Sequence, residues 1–416
     1  MVLRLDDRLK AGQRELLARV GEIAAEMDLS AFLVGGPVRD LLLDRPAPDL
    51  DVSIEGPVHP LAERLDARVR KTSRFMTAAL VLRDGSELDL ARTRTESYPE
   101  PGALPLVEPA GLADDIRRRD FSVNAMAAAL EPGRFGQLID PLGGLADLQA
   151  RRLRVLHDRS FIDDPTRMLR AVRFMLRLQF QLEAHTRELL DRANSQRRLS
   201  GLSGARLRNE LARIFRESPA RGLRTLQELD LLQGMGLAPA SEAACEASRH
   251  LPEAARVLDL DLRKSGALAT CLGVYAGLSG QDAGAVAVRL MLDGQVRRSM
   301  CRAALLIEEP PQALRDELPD SELYFALRGT PAAAVVSCWA ASEPPVRARL
   351  ERYWHELRDV VADVDGEDLI ALGYRPGPGF GPALEVALAA RIDFDAAREE
   401  QLAAALDLLR EDTERT

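Results

Sequence analysis

Lysine is almost missing from this 416-residue chain: only Lys10, Lys71 and Lys264 stand among its 56 basic residues, the rest being arginine. That bias reads as base composition in a GC-rich genome and carries little functional meaning. Cysteine is sparse too. Cys245, Cys271, Cys301 and Cys338 are scattered through the second half without a close pair, which argues against a disulfide framework or a CxxC metal knuckle and leaves them as core thiols. Of five histidines, only His157 is followed by an aspartate, Asp158, in the manner of a metal-dependent HD phosphohydrolase, and His59, His185, His250 and His355 show no pattern that would complete such a site. No stretch approaches the roughly 20 uninterrupted apolar residues that a membrane span needs. The start, MVLRLDDRLK, lacks the apolar core of a signal peptide. No membrane partner and a cytoplasmic location are therefore expected.

What is present is a large, ordinary hydrophobic complement, 46% of residues, with 29% charged. That suffices for a sizeable core divided among more than one unit. A net charge of −9 argues against indiscriminate nucleic-acid binding, but it is unevenly spread. Residues 151–216 hold 16 arginines against seven acidic residues, a local +9, so the remainder carries −18. One segment is equipped to meet phosphate while the rest stays acidic.

The first 130 residues alternate between element types. An amphipathic helix is expected from Asp7 to Met27, strands at Ala31–Val34, Leu50–Ile54, Phe75–Leu82 and Glu87–Ala91, and helices near Val38–Leu43 and Leu61–Ala67. Residues 93–113 are rich in Pro and Gly, so no packed element is expected there, and the length suggests a functional loop. Beyond Asp114 nearly every window has helical periodicity, so the last two-thirds are expected to be all-α. Breaks fall near Gly201–Gly204, Gly234–Pro239, Glu308–Pro311 and Arg375–Gly381. No internal repeat is present.

The chemistry concentrates in residues 32–56. Gly35 and Gly36 follow a strand and precede a helix carrying Arg39, so backbone amides and the helix start can receive a triphosphate. Asp49 and Asp51 follow at i and i+2 on the next expected strand, a spacing that points both carboxylates to one face. Two adjacent carboxylates repel unless a cation lies between them, and hard Mg²⁺ accepts such oxygen ligands when phosphates complete its shell. Either feature alone is commonplace; strand, Gly-Gly, Arg-bearing helix and DxD strand in that order are not. Glu87 and Asp89, again at i and i+2, offer a third carboxylate.

With these residues in place the chain resembles the polymerase-beta-like nucleotidyltransferases, specifically class II tRNA nucleotidyltransferases and bacterial poly(A) polymerases. The family's GGxVRDxLLxRxxxDxD is matched by Gly35, Gly36, Val38, Arg39, Asp40, Leu42, Arg45, Asp49 and Asp51. Its RRDFTxNA appears as Arg118, Arg119, Asp120, Phe121, Ser122, Val123, Asn124 and Ala125, with Ser keeping the hydroxyl of Thr. Asp140 to Gly144, with Asp147 and Arg154, resembles the hinge between head and neck. The usual EDxxR reads Asp163, Asp164, Pro165, Thr166, Arg167, a departure that shortens the first arm. A helix from Gly204 to Arg216 resembles a fifth motif, with Ala205 where an acid is often found, and the Pro-Gly-rich stretch after Gly366 resembles the family tail.

The resemblance implies an α+β fold: a nucleotidyltransferase head, residues 1–138, a helical neck, 139–218, and an all-α body and tail that meets tRNA, 219–416. It implies Mg²⁺ at Asp49 and Asp51, triphosphate at Gly35, Gly36 and Arg39, and ribose and triphosphate contacts from Arg118, Arg119, Asp120 and Asn124. It also implies that Asp164 and Arg167, three apart at a helix start, select the base. Cytosine and adenine both present an amino donor beside a ring-nitrogen acceptor, which an Asp–Arg pair satisfies, whereas uracil and guanine leave those groups unpaired. Arg170, Arg173 and Arg177 form a basic stripe on the same helix, beside the apolar stripe Leu169, Val172 and Leu176, and are expected to meet phosphate or the RNA end.

ATP, CTP and the tRNA 3′ end are the implied partners. The product stays open among whole CCA, its last A alone, which would require a separate CC-adding enzyme, and a poly(A) tail. The resemblance also implies that the long loop at 93–113 speaks against CC-only addition, since CC-only relatives lack or shorten it. A non-catalytic RNA-binding protein is the rival of another class, and the intact Asp49 and Asp51 speak against it.

Overall fold

A computed structural model describes Leu9 and residues 11–47, 49–73, 76–262 and 266–415. Along the chain come β1 (Ala31–Val34), β2 (Asp51–Ile54), β3 (Arg68–Ser73), β4 (Thr77–Val81) and β5 (Glu87–Arg92). A separate hairpin follows, β6 (Arg94–Ser97) with β7 (Leu106–Pro109), and then β8 (Ala127–Ala129) and β9 (Leu138–Ile139). Seven strands make one sheet in the order β3-β4-β5-β2-β1-β8-β9, in which β2 and β5 run parallel and the other neighbours antiparallel. β1 is buried along its whole length, as its unbroken apolar text requires.

Helices α1 (Ala11–Glu26), α2 (Gly36–Leu42), α3 (Val58–Arg64) and α4 (Leu112–Arg117) accompany the sheet, followed by α5 (Gly144–Gln149), α6 (Ser160–Asp163), α7 (Thr166–Leu178) and α8 (Ala184–Ser195). One face of the sheet closes on a cluster of Phe32, Val34, Ala125, Ala127 and Ala129 with Leu112 and Ile116 of α4. The observed class is α+β, as expected. The chain divides into two compact units: Met1–Leu202 with Leu229–Gly236, and Ser203–Glu228 with Leu237–Thr416. The second unit, which begins with α9 (Gly204–Glu217), contains only helices among its described residues. At its core, Ala267–Leu278 is apolar on every side and correspondingly buried. A separate small cluster of Leu369, Ala383, Ala387, Ala405 and Leu409 joins the last helices. Among the described residues no helix is long and apolar enough to cross a membrane. Cys245, Cys271 and Cys338 are buried and all four cysteines are free.

Several expectations change. The helix start at Asp7 and the strand start at Phe75 lie outside the described residues. Strand β3, RVRKTS, is not foreseen by the sequence pattern because most of its residues are polar or charged without alternation; it forms as the sheet's edge, where its outer side faces water. Strands β8 and β9 fall in a region expected to be helical. Ala127–Ala129 has no strand propensity of its own and is extended because it fills the slot beside β1, where all three alanines are fully buried. The segment 93–113 is not devoid of structure either. Its prolines and glycine at 99–102 sit at the loop between β6 and β7, leaving Arg94–Ser97 and Leu106–Pro109 free to pair.

Candidate active site

The parallel pairing of β2 with β5 sets Asp51 directly opposite Asp89. Asp49 lies in a bend before β2 rather than on it, so it does not share a strand face with Asp51 by the period-two argument. All three carboxylates nevertheless feel one another. Burial, then the charge of Asp89, pushes Asp51 up to about 6, with Arg119 opposing and Asp49 adding. Asp89 is raised by burial and by Asp49. A site that leaves carboxylates this uncomfortable suits a hard divalent cation. Among the described residues no three His, Cys, Asp or Glu side chains are gathered as a ready cage. A Mg²⁺ ion at this site would draw on one or two of these carboxylates, with water and substrate phosphate completing its shell. Glu87, by contrast, is exposed and paired with Arg70 at 2.7 Å.

Asp51 and Asp89 line a cleft of about 420 Å³ whose walls include Lys71, Arg118 and Arg119. Gly35 caps α2 with φ 72, a backbone conformation that favours glycine, and a Cβ there would stand 2.6 Å from Arg119 Nη1, so a side chain at this position would also push the guanidinium aside. Arg118 and Arg119 are held by Asp115, wholly buried, which accepts from Arg118 Nη2 and Arg119 Nη2 at 2.8 Å each. Burial would raise the Asp115 carboxyl, but the two guanidiniums hold it below the usual carboxylate range. Arg119 Nε is buried with no hydrogen-bond partner among the described residues, a donor that an incoming anion would satisfy. Asp115 is not among the residues that the sequence motifs single out. Its signal is its spacing: it lies on α4, three and four residues before two arginines that directly follow that helix.

A second network lies behind this wall. Arg39, only 2% exposed, donates to Asp40 at 2.8 and 2.9 Å and to the Asn124 side-chain oxygen. Asn124 Nδ2 donates to Asp120 at 3.0 Å, and the other Asp120 oxygen receives Arg170. Arg177 reaches Asp40 at 3.3 Å. Arg39, Arg170 and Arg173 also surround the ring of Phe174, with guanidinium carbons 5.3, 5.7 and 5.0 Å from its centroid. Arg39 and the basic stripe thus tie α2 to α7, with Asp120 and Asn124 as the link. Burial would raise Asp120, but Arg170 and Asn124 outweigh it and hold the carboxyl well below its ordinary value. Its stabilisation is fully present above the unfolded pKa of about 3.9 and is lost as pH falls through that value towards the folded one. Urea unfolding should show Asp120→Asn to cost about 3 kcal/mol near neutrality, with the gap to the parent narrowing below about pH 3.9.

Asp164 does not ride on the helix with Arg167. It sits between α6 and α7 with φ −129, and its carboxylate accepts from the Thr166 amide at 3.1 Å and hydroxyl at 2.6 Å. Pro165 explains the offset, since the residue before a proline is driven out of the helical region. Arg167 is 4% exposed and donates to Ser160 Oγ at 2.7 Å and to the Arg118 carbonyl at 2.6 Å, which joins the RRD motif to the DDxxR motif. Tyr98 of the β6–β7 loop is held by Glu96 at 3.1 Å and feels the charges of Arg167 and Asp164.

Two family models fit this layout: "Poly A polymerase head domain" over residues 31–154 and "Probable RNA and SrmB- binding site of polymerase A" over 179–244. Over 86% of its length the chain is 34% identical to the CC-adding tRNA nucleotidyltransferase of Deinococcus radiodurans, and it covers 83% of that protein. The chain belongs to the tRNA nucleotidyltransferase and poly(A) polymerase family. It is also 34% identical to the A-adding tRNA nucleotidyltransferase of Geobacter sulfurreducens over 94% of its own length, while spanning about half, 47%, of that relative. A structure of the Thermotoga maritima CCA-adding enzyme complexed with tRNA aligns with TM-score 0.82 at 28% identity, covering 98% of this chain and 99% of that one.

The family's head model ends at Arg154, within a densely bonded junction. Asp140 accepts from the amides of Gly144 and Leu145 at 2.7 and 2.9 Å, and buried Asp147 accepts from Ser122 Oγ and Arg154 Nε at 2.7 Å each. A Cβ on Gly144 would lie 2.2 Å from the Ser122 carbonyl oxygen, which belongs to the RRDFS segment. Gly144→Ala is therefore expected to destabilise the fold by about 2–3 kcal/mol, read as a lower urea midpoint with unchanged m-value.

Proposed function

We propose that this chain adds nucleotides to tRNA 3′ ends without a template, using CTP and ATP to build CCA or ATP alone to supply its last A. The observation that carries the reading is the pairing of Asp51 with Asp89 in a cleft that also presents Arg119 with an unused buried donor. In this reading Asp49 and Asp51 hold Mg²⁺, with Asp89 beside them. One or two bound ions supply activation of the attacking hydroxyl and neutralisation of the leaving pyrophosphate.

The remaining work belongs to the chain. Gly35, Gly36, Arg118 and Arg119 receive the triphosphate. Asp120 and Asn124 orient the ribose, held from behind by Arg39 and Arg170. Arg173 and Arg177 keep α7 against α2, and Asp164 with Arg167 offers the edge that accepts cytosine or adenine. Two Arg167 nitrogens are already bound, which leaves donors from a five-donor guanidinium for the base. The division into head, 1–138, neck, 139–218, and tRNA-binding body and tail, 219–416, follows this assignment of tasks, as does a cytoplasmic location. The long segment carrying Tyr98, beside Asp164 and Arg167, favours a product that includes the terminal A.

Labelled CTP and ATP offered separately and together, with Mg²⁺, to transcripts ending at the discriminator base, at C and at CC decide among products. Stepwise CTP then ATP addition on all three establishes whole-CCA synthesis. ATP addition on the CC end alone establishes the A-only activity and a separate CC-adding partner, and long A runs on any end establish poly(A) synthesis. Tight transcript binding with no incorporation at all would leave only the RNA-binding rival.

A further inference from the structure

Strand β3 carries a β-bulge. Its register with β4 runs Arg68↔Val81 and Val69↔Leu80, then resumes at Lys71↔Ala79, so Arg70 is the extra residue. In an unbulged strand Arg70 and Lys71 would point to opposite faces. With two residues set against one, both can be aimed at the same face, and bulges beside active sites commonly serve that end. The structure shows both cations on the carboxylate face. Arg70 Nη1 donates to Glu87, two residues before Asp89 on the same side of β5, and Lys71 lines the cleft that holds Asp51, Ala79 and Asp89. Arg70 also lines a second cleft, of about 370 Å³, together with Asp49, Glu87 and Asp89. The carboxylates thus stand where two clefts meet, and each cleft has one member of the bulge in its wall.

An in-line phosphoryl transfer brings its nucleophile and leaving group from opposite sides, so two substrates must converge on the carboxylates. The triphosphate side is furnished by Gly35, Arg118 and Arg119. Those arginines are partly neutralised by Asp115 and Glu96, and Arg39 is buried. Arg70, with its side chain 56% exposed, and Lys71, exposed, face solvent at the edge of the sheet, about three strand spacings of 4.8 Å from β2.

Resting on the tRNA-extending reading above, we propose that the Arg70–Lys71 bulge seats the phosphodiester backbone of the RNA strand being extended, just behind its terminal hydroxyl. Two adjacent cations without aromatic or amide side chains beside them on β3 suit backbone recognition, which is independent of sequence. Glu87 competes with that backbone for Arg70.

The test uses the full chain with Mg²⁺ and a CC-ending tRNA transcript, comparing R70Q, K71Q, their double variant and E87Q. The double variant is expected to raise KM for the transcript about three- to tenfold. The log–log salt slope of transcript binding should flatten by about 0.7 for each phosphate that is no longer neutralised. KM for ATP should hold, and R70K with K71R should restore the transcript KM. E87Q should lower the transcript KM, because it releases Arg70. An unchanged transcript KM in the double variant overturns the proposal. So does a rise in KM for ATP instead, which would place the cations on the triphosphate, or a shift of E87Q in the same direction as R70Q, which would make the pair a structural strut. If the parent incorporates nothing, the functional reading fails separately, and transcript binding by the same variants still decides the seat.

Discussion

Asp51→Asn is expected to lower nucleotide incorporation by about 10³-fold or more while leaving transcript binding within a factor of two. The size follows from the several kcal/mol that a metal ion contributes to transition-state charge, each 1.4 kcal/mol being tenfold in rate. Asp51 is more deeply buried than Asp89 and stands opposite it in the sheet, so no nearby carboxylate replaces it without movement. Removing its charge also relieves repulsion, so the variant should be at least as stable as the parent. A dead enzyme that melts no lower than the parent separates chemistry from folding. Asp49→Asn should behave similarly, whereas Asp89→Asn should lose less, and Glu87→Gln should stay active because Glu87 pairs with Arg70 and has no part in the proposed metal site. Full activity in Asp51→Asn would remove the carboxylate mechanism.

The second large effect concerns base choice. Asp164→Ala and Arg167→Ala should each raise incorporation of UTP or GTP relative to CTP and ATP by about 10- to 100-fold, as one or two unpaired polar groups at 1–3 kcal/mol cease to penalise the wrong base. The two variants should differ in stability. Asp164 caps its own turn through Thr166, a local bond, but Arg167 is buried and anchors the Arg118 carbonyl. Arg167→Ala should therefore also weaken triphosphate binding, seen as a raised KM for every nucleotide. Unchanged preference over UTP and GTP in both variants refutes the Asp–Arg selection.

How much of this is legible in the sequence depends on whether the signal is local. The turn at Gly35 and Gly36, the acids at 49 and 51 and the RRDFS segment are short patterns, and the structure draws them into one unit. The partner of Asp51 is visible only as an i, i+2 pair, since choosing Asp89 over Glu87 requires the parallel register of β2 with β5. Arg39, expected at the triphosphate, also makes a buried link with Asn124, 85 residues away, which spacing cannot reveal. Strand β8 is illegible because three alanines carry no period, and the β6–β7 hairpin because prolines at its loop mask the pairing of its arms. Asp164 departs from the helix expected of it for a reason that is in plain view: Pro165 follows it.

Metal-dependent extension of tRNA is measured by single-turnover incorporation of labelled ATP onto a CC-ending transcript, with Mg²⁺ and with chelator, alongside transcript binding in both conditions. One A should be added with Mg²⁺ and none with chelator, while the transcript binds in both. Binding without incorporation in either condition, for ATP and for CTP on shorter ends alike, would contradict the tRNA-extending function.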